Sequence, residues 1–174
     1  MILYWDFREL KMNMIEKAKE FATKAHKGQY RDYTFEEYIN HPMRVVNILK
    51  TVPNVTDEMI AAAWLHDVIE DTEYTYENIL TEFGETVAQY VWWLTKIDSL
   101  PTRAENKYET LLKLAKAPVE AQTIKLADLL DNTPSILQYD PDFAKIYIPE
   151  KLDLLDFMDK GDKTLYNRVM LALQ

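Results

Sequence analysis

A chain of 174 residues with 48% hydrophobic side chains is long enough to bury a sizeable core and short enough to be read as one domain over residues 1–174. Its formal net charge of −9 argues against a broad nucleic-acid footprint, which needs clustered cations to displace counterions, so any anionic ligand must be met by local positive charge. With no cysteine, disulfides and thiolate ligands are excluded, and any metal site must be built from His, Asp and Glu.

Met1 to Arg8 lacks the apolar run and small-residue cleavage site of a signal peptide, and no stretch reaches membrane-spanning length. Cytosolic residence without a membrane partner is the expectation. Only three glycines are present and β-branched alternation is scarce, so hairpins and βαβ units are poorly supported. An all-α fold of about eight to ten helices follows.

Leu10 to His26 carries apolar or small residues at Met14, Ile15, Ala18, Phe21, Ala22 and Ala25, a helical period ended by Gly28. His26 falls in the last turn, where a partly exposed imidazole would face the helix dipole. An aromatic-rich loop, Gly28 to Pro42, has no clean period; Pro42 suits a first helical turn and puts His41 at the cap position with its ring free to point inward. That helix runs to about Lys50.

Thr56 or Asp57 caps the next helix, which leads through Ala61-Ala62-Ala63-Trp64-Leu65 into His66-Asp67-Val68-Ile69-Glu70-Asp71. One imidazole and three carboxylates thus stand within two turns at the end of an apolar helix. Helical spacing stacks His66 on Glu70 and turns Asp67 toward Glu70 and Asp71. Buried carboxylates need compensation, and a divalent cation beside the partial negative charge of a helix C-terminus supplies it.

Thr75 caps a helix running towards Phe83, and Gly84 separates it from the apolar segment Val87 to Ile97, where Val91, Trp92, Leu94 and Ile97 are expected in the core. After Pro101, Arg103 and Lys107 lie one turn apart on a charged helical stripe. The helix after Pro118 places Lys125, Asp128 and Asn132 on one face, while Ile124, Leu126, Leu129 and Leu130 cover much of the rest. Breaks are expected at Asp140-Pro141 and Ile148-Pro149, followed by packing helices over about 141–174 that bury Leu152, Leu155, Phe157, Met158, Leu165, Val169 and Leu171.

His41, His66, Asp67 and Asp128 together offer two imidazoles and two carboxylates. Such a mixed set suits Mn²⁺, with Zn²⁺, Fe²⁺ and Mg²⁺ open, and leaves room for water in an octahedral shell.

Four segments, Ala25-His26-Lys27-Gly28-Gln29-Tyr30-Arg31, Tyr38-Ile39-Asn40-His41-Pro42, Leu65-His66-Asp67-Val68-Ile69-Glu70-Asp71-Thr72 and Ile124-Lys125-Leu126-Ala127-Asp128-Leu129-Leu130-Asp131-Asn132, follow one another in a recognisable order. Over about residues 12–140 the chain resembles the HD superfamily of metal-dependent phosphohydrolases, and within it the small alarmone hydrolases and the hydrolase half of Rel/SpoT-type enzymes. The resemblance implies removal of the 3′-pyrophosphate from guanosine tetra- or pentaphosphate, with His41, His66, Asp67 and Asp128 holding the metal. It also implies that Glu70 and Asp71 position and deprotonate the attacking water, that Arg31 contacts the nucleotide, and that Asn132 holds its ribose or phosphate edge. Lys125, with Lys96, Arg103 and Lys107, supplies the local positive charge.

Three positions depart from the family pattern: Asp32 and Glu37 bring negative charge to the loop, and Leu129 stands where a basic residue is common. They motivate a second reading, the same chemistry on another nucleotide such as a nucleoside monophosphate or a phosphorylated dinucleotide. A third, a silent metal- or nucleotide-binding domain, is opposed by the Glu70-Asp71 pair, which a mere binder does not need.

Overall fold

In the computed structural model, which describes residues 13–174, the side chain of Asn13 accepts from the Ile15 amide at 2.8 Å and starts α1 (Met14–Ala25). The expected start at Leu10 lies outside the described residues. Gly28, at φ +82°, turns the chain out of α1 in a conformation that side chains resist. A loop pinned by one isolated bridge between Tyr30 and Glu37 then leads into α2 (Asn40–Leu49). His41 therefore lies inside the first turn of α2 and Ile39 takes the cap position expected for His41. A helix tolerates this start because Pro42, near its beginning, needs no hydrogen bond from its nitrogen.

Thr56 accepts from the Met59 amide at 3.3 Å and caps α3 (Asp57–Leu65). Every residue from Met59 to Leu65 is buried, as a helix apolar all round must be. The three alanines, 61 to 63, have no side chain beyond Cβ, which lets α1, α2 and α6 pack close around it. α3 does not carry the acidic cluster on one continuous helix: it stops at Leu65, Asp67 adopts φ −100° and ψ −3°, and a single turn, α4 (Val68–Asp71), follows.

A capping box of Thr75 and Asn78 opens α5 (Tyr76–Phe83), and Gly84 at φ +84° joins it to α6 (Glu85–Leu94). Trp92 on α6 is 45% exposed rather than core. Its ring carries the Lys113 ammonium at 3.9 Å from α7 (Arg103–Lys116), so a cation covers the face that packing does not. α8 (Val119–Tyr139) runs straight through Pro134 and packs on α2, α3 and α6.

Asp140 breaks the chain and caps α9 (Pro141–Asp156), but Ile148-Pro149 does not break it; the burial of Tyr147, Leu154 and Leu155 on either side of Pro149 holds that helix together. α10 (Lys163–Ala172) returns to α8, anchored by Gln122, whose Oε1 accepts from the Lys160 and Gly161 amides at 2.9 and 3.0 Å. Leu155, Met158, Leu165 and Val169 are buried as expected, whereas Leu152, Phe157 and Leu171 are exposed. The described residues are all-α: ten helical segments around α3 and α8.

Candidate metal centre

α2, α3 and α8 each bring side chains to one point. His66 follows the last residue of α3, and its Nδ1 lies 2.9 Å from the Ala63 carbonyl. A carbonyl only accepts, so Nδ1 carries the proton and Nε2 is left with its lone pair facing inward. His41 repeats this with Nδ1 donating to Asp131 Oδ2 at 2.7 Å. Its Nε2 therefore faces the Nε2 of His66 at 3.2 Å.

Two carboxylates close the group. Asp128 Oδ1 is 3.2 Å from His41 Nε2 and 3.6 Å from His66 Nε2, while Asp67 Oδ2 is 3.4 and 3.0 Å from the same atoms. One ligand atom each from His41, His66 and Asp128 falls within 4.8 Å of the others, and all three residues are buried. Facing lone pairs repel unless a proton or a cation stands between them. Nitrogens bound to one ion at 2.0–2.1 Å sit about 3.0–3.4 Å apart, so the donor set fits a divalent metal.

Without an ion, protons take its place. Burial opposes charge on both imidazoles, yet hydrogen bonds to Asp128, Asp131 and Asp67 outweigh it and push His41 up to about 9. His66 is also raised, by the Asp67 charge and its bonds to Asp128 and Asp67. Asp67 and Asp128 are held well below the usual carboxylate range despite burial, Asp67 chiefly by His66 and Asp128 chiefly by Lys125. Because protonated rings cannot ligate, metal affinity should climb between pH 6 and 9 as His41 gives up its proton. Loading at pH 7 should release about one to two protons, read with an indicator dye in weak buffer. A pH-independent affinity over that range contradicts this account of the two rings.

Residues around the group hold it in place. Arg44 Nε donates to Asp131 Oδ1 at 2.6 Å and Arg44 Nη1 to Glu36 Oε2 at 2.9 Å, so a chain Glu36–Arg44–Asp131 braces His41. Asp128 takes Lys125 Nζ on Oδ2 and Asn132 Nδ2 on Oδ1, both at 2.6 Å; Asn132 in turn accepts from Arg31 Nη2 at 2.6 Å. Lys125 is thereby paired inside the group rather than free for an anion. Spacing puts Asp131 one turn after Asp128 and Arg44 one turn after His41, but only the packing of α2 on α8 pairs them.

The group opens on a cavity of about 1020 Å³. Glu70 and Asp71 line it, Glu70 paired with the Lys96 ammonium and accepting from the Lys96 amide at 3.1 Å. Burial and the Asp67 charge raise Asp71 above the ordinary carboxylate value. Arg103 and Lys107 also reach the cavity, 3.5 and 3.4 Å from Glu150. α9, expected only to pack, adds Tyr147 and Lys151 to the wall. A second cavity of about 370 Å³ lies beside it; Arg31 lines both. His26 is not the exposed imidazole expected at a helix end: it is 2% exposed, stacked on Tyr38.

A family model described as "HD domain" matches residues 18–147. A Danio rerio protein named guanosine-3′,5′-bis(diphosphate) 3′-pyrophosphohydrolase MESH1 is 38% identical over 124 residues, 70% of this chain and 68% of that one. A Haemophilus influenzae protein named guanosine-3′,5′-bis(diphosphate) 3′-pyrophosphohydrolase is 38% identical over 138 residues, 76% of this chain; the match spans only 20% of that longer relative. A solved structure described as a metazoan ortholog of SpoT that hydrolyzes ppGpp superposes with a TM-score of 0.84 at 27% identity, covering 92% of this chain and 94% of the other. No helix among the described residues is long and apolar enough to cross a membrane.

Proposed function

The chain belongs to the HD-domain family, and from that premise we propose that it is a metal-dependent hydrolase that removes the 3′-pyrophosphate from guanosine tetra- or pentaphosphate. The observation that carries the reading is the meeting of His41 Nε2 and His66 Nε2 with Asp67 and Asp128, the two carboxylates lying on the wall of a cavity that Arg31, Lys96, Arg103 and Lys107 also line. His41, His66, Asp67 and Asp128 hold one ion, of which Mn²⁺ suits a mixed nitrogen and oxygen set that leaves room for water. When bound, such an ion supplies an ionisable water and neutralises charge on phosphoryl oxygens.

The protein's own groups do the rest. Asp71, raised above the ordinary carboxylate value by burial and by Asp67, accepts the proton of the attacking water; Glu70, one residue away, orients it. Arg31, tied to Asn132 and lining both cavities, spans the nucleotide between them. The smaller cavity, with the near-parallel rings of Tyr33 and Tyr139 in its wall, offers a purine a stacking surface. Lys96, Arg103 and Lys107, on the wall of the larger one, turn from their Glu70 and Glu150 partners to meet the phosphates. Asp32 and Glu37 are exposed and line neither cavity, so their charge falls on solvent rather than on the substrate. Leu129 is buried and leaves the phosphate charge to the residues around it.

Lys151 joins that wall. Burial and the neighbouring Lys125 lower its ammonium to about 8, so it is charged at pH 7 and neutral at pH 9. KM for a polyphosphorylated nucleotide should therefore rise several-fold between pH 7 and 9, and Lys151→Arg should flatten the rise, since a guanidinium stays charged. An identical slope in the variant removes Lys151 from the phosphate site.

The deciding experiment incubates purified protein and Mn²⁺ with guanosine tetraphosphate and with a panel of nucleoside monophosphates and phosphorylated dinucleotides. Pyrophosphate release from the first, with metal content measured on the same sample, supports the proposal. Orthophosphate release, or preferential turnover of another nucleotide, moves the activity elsewhere within the family, and metal binding with no turnover reduces the protein to a binding domain.

A further inference from the structure

Tyr38 stands in the loop between α1 and α2, where the sequence gives it no role, yet more of the centre touches it than any assigned residue explains. Its hydroxyl lies 2.7 Å from Asp67 Oδ2 and 3.0 Å from Asp71 Oδ2. Its ring stacks on His26 at 4.6 Å, meets His41 edge-on at 5.8 Å, and has the Arg31 guanidinium 5.7 Å from its centroid. His26 Nδ1 lies 2.7 Å from Gln29 Oε1, and Gln29 Nε2 donates to the Asp71 carbonyl at 2.8 Å. Asp71 is thus held twice, by Tyr38 on its side chain and by Gln29 on its backbone, and the His26 ring joins the two holds.

A phenol has one proton, so Tyr38 serves the two carboxylates one at a time. Whatever draws electron density from Asp67 makes it the poorer acceptor and turns the O–H toward Asp71. We propose that Tyr38 is a positioning residue that couples Asp67, in the ion-binding set, to Asp71, the proton acceptor, so that filling the ion site and placing Asp71 are one event. This rests on the roles given to Asp67 and Asp71 under the proposed function. It extends to a tyrosine the general rule that partners of metal ligands tune the metal, with losses of roughly 10- to 100-fold when they are removed.

A double-mutant cycle tests it, with Tyr38→Phe, Asp71→Asn and the pair read on Mn²⁺ affinity by calorimetry and, separately, on kcat and KM. Phe keeps the ring stack and removes only the hydroxyl. The expected result is a kcat lower by roughly 10- to 100-fold with nucleotide KM within about twofold, and a weaker effect of Asp71→Asn on both readouts once the hydroxyl is gone. Should the Phe variant fail to melt cooperatively, Tyr38→Met carries the cycle instead. Effects that simply multiply, or a kcat within about twofold of wild type, overturn the proposal. If the unaltered protein turns over no nucleotide while the Mn²⁺ cycle still shows coupling, the functional reading fails and the link between Asp67 and Asp71 stands; turnover without coupling breaks the link and leaves the functional reading in place.

Discussion

Asp128→Asn should cut nucleotide turnover by about a thousandfold or more and remove measurable metal binding. The amide keeps the volume and loses the charge of the residue that stands 3.2 Å from His41 Nε2 and 3.6 Å from His66 Nε2. The same change strands Lys125, whose Nζ lies 2.6 Å from Asp128 in a buried setting, so stability falls as well and that ammonium gives up its proton more readily. Pairing Asp128→Asn with Lys125→Met separates the two effects: the melting temperature should recover and turnover should not. Asp67→Asn, which has no lysine partner, should lose turnover to a similar degree with a smaller loss of stability. Full activity in either single variant removes the ion from the proposed chemistry.

Leu65→Ala is expected to have the largest effect on folding. Leu65 closes α3, is 0% exposed, and immediately precedes His66. Truncating a fully buried leucine costs about 2–5 kcal/mol, which for a chain of this size lowers the melting temperature by roughly 5–15 °C. Leu171→Ala is the control. Leu171 is 68% exposed, and its loss should change stability by less than about 0.5 kcal/mol. Thermal melts of the two variants that moved together would mean that α3 is not the centre of the core.

Those two leucines show what periodicity can read. Leu65 lies in an apolar run with no polar face, and such a run has one fate, burial from all sides. Leu171 and Trp92 also sit at apolar positions, but whether an apolar residue is covered depends on which element packs over it. Trp92 is covered by a lysine from α7 rather than by the core. Pro149 misled for the same reason: a proline is a local signal for a break, and the buried residues on both sides of it hold α9 across it.

At the centre, Lys125, Asp128 and Asn132 are legible as a set because one helix carries all three. The acidic cluster was legible only in composition. The helix breaks at Asp67, so the stacking of His66 on Glu70 does not form; Glu70 turns to Lys96 and Asp71 to Tyr38. His26, Asp131, Arg44 and Lys151 were missed because each acquires its role from a partner on another element.

The amino-acid sequence by itself determined an all-helical chain and, with no cysteine, that any cluster able to bind a metal is built from nitrogen and oxygen donors. Only the tertiary structure decided that His41 and His66, separated by 25 positions, point their free nitrogens at each other, and that Asp131, 90 positions from His41, fixes the tautomer that makes this so. Helical periodicity orders side chains over a few turns of one helix. Bringing three helices to one point is the work of burial around α3, and that is a property of the packed whole.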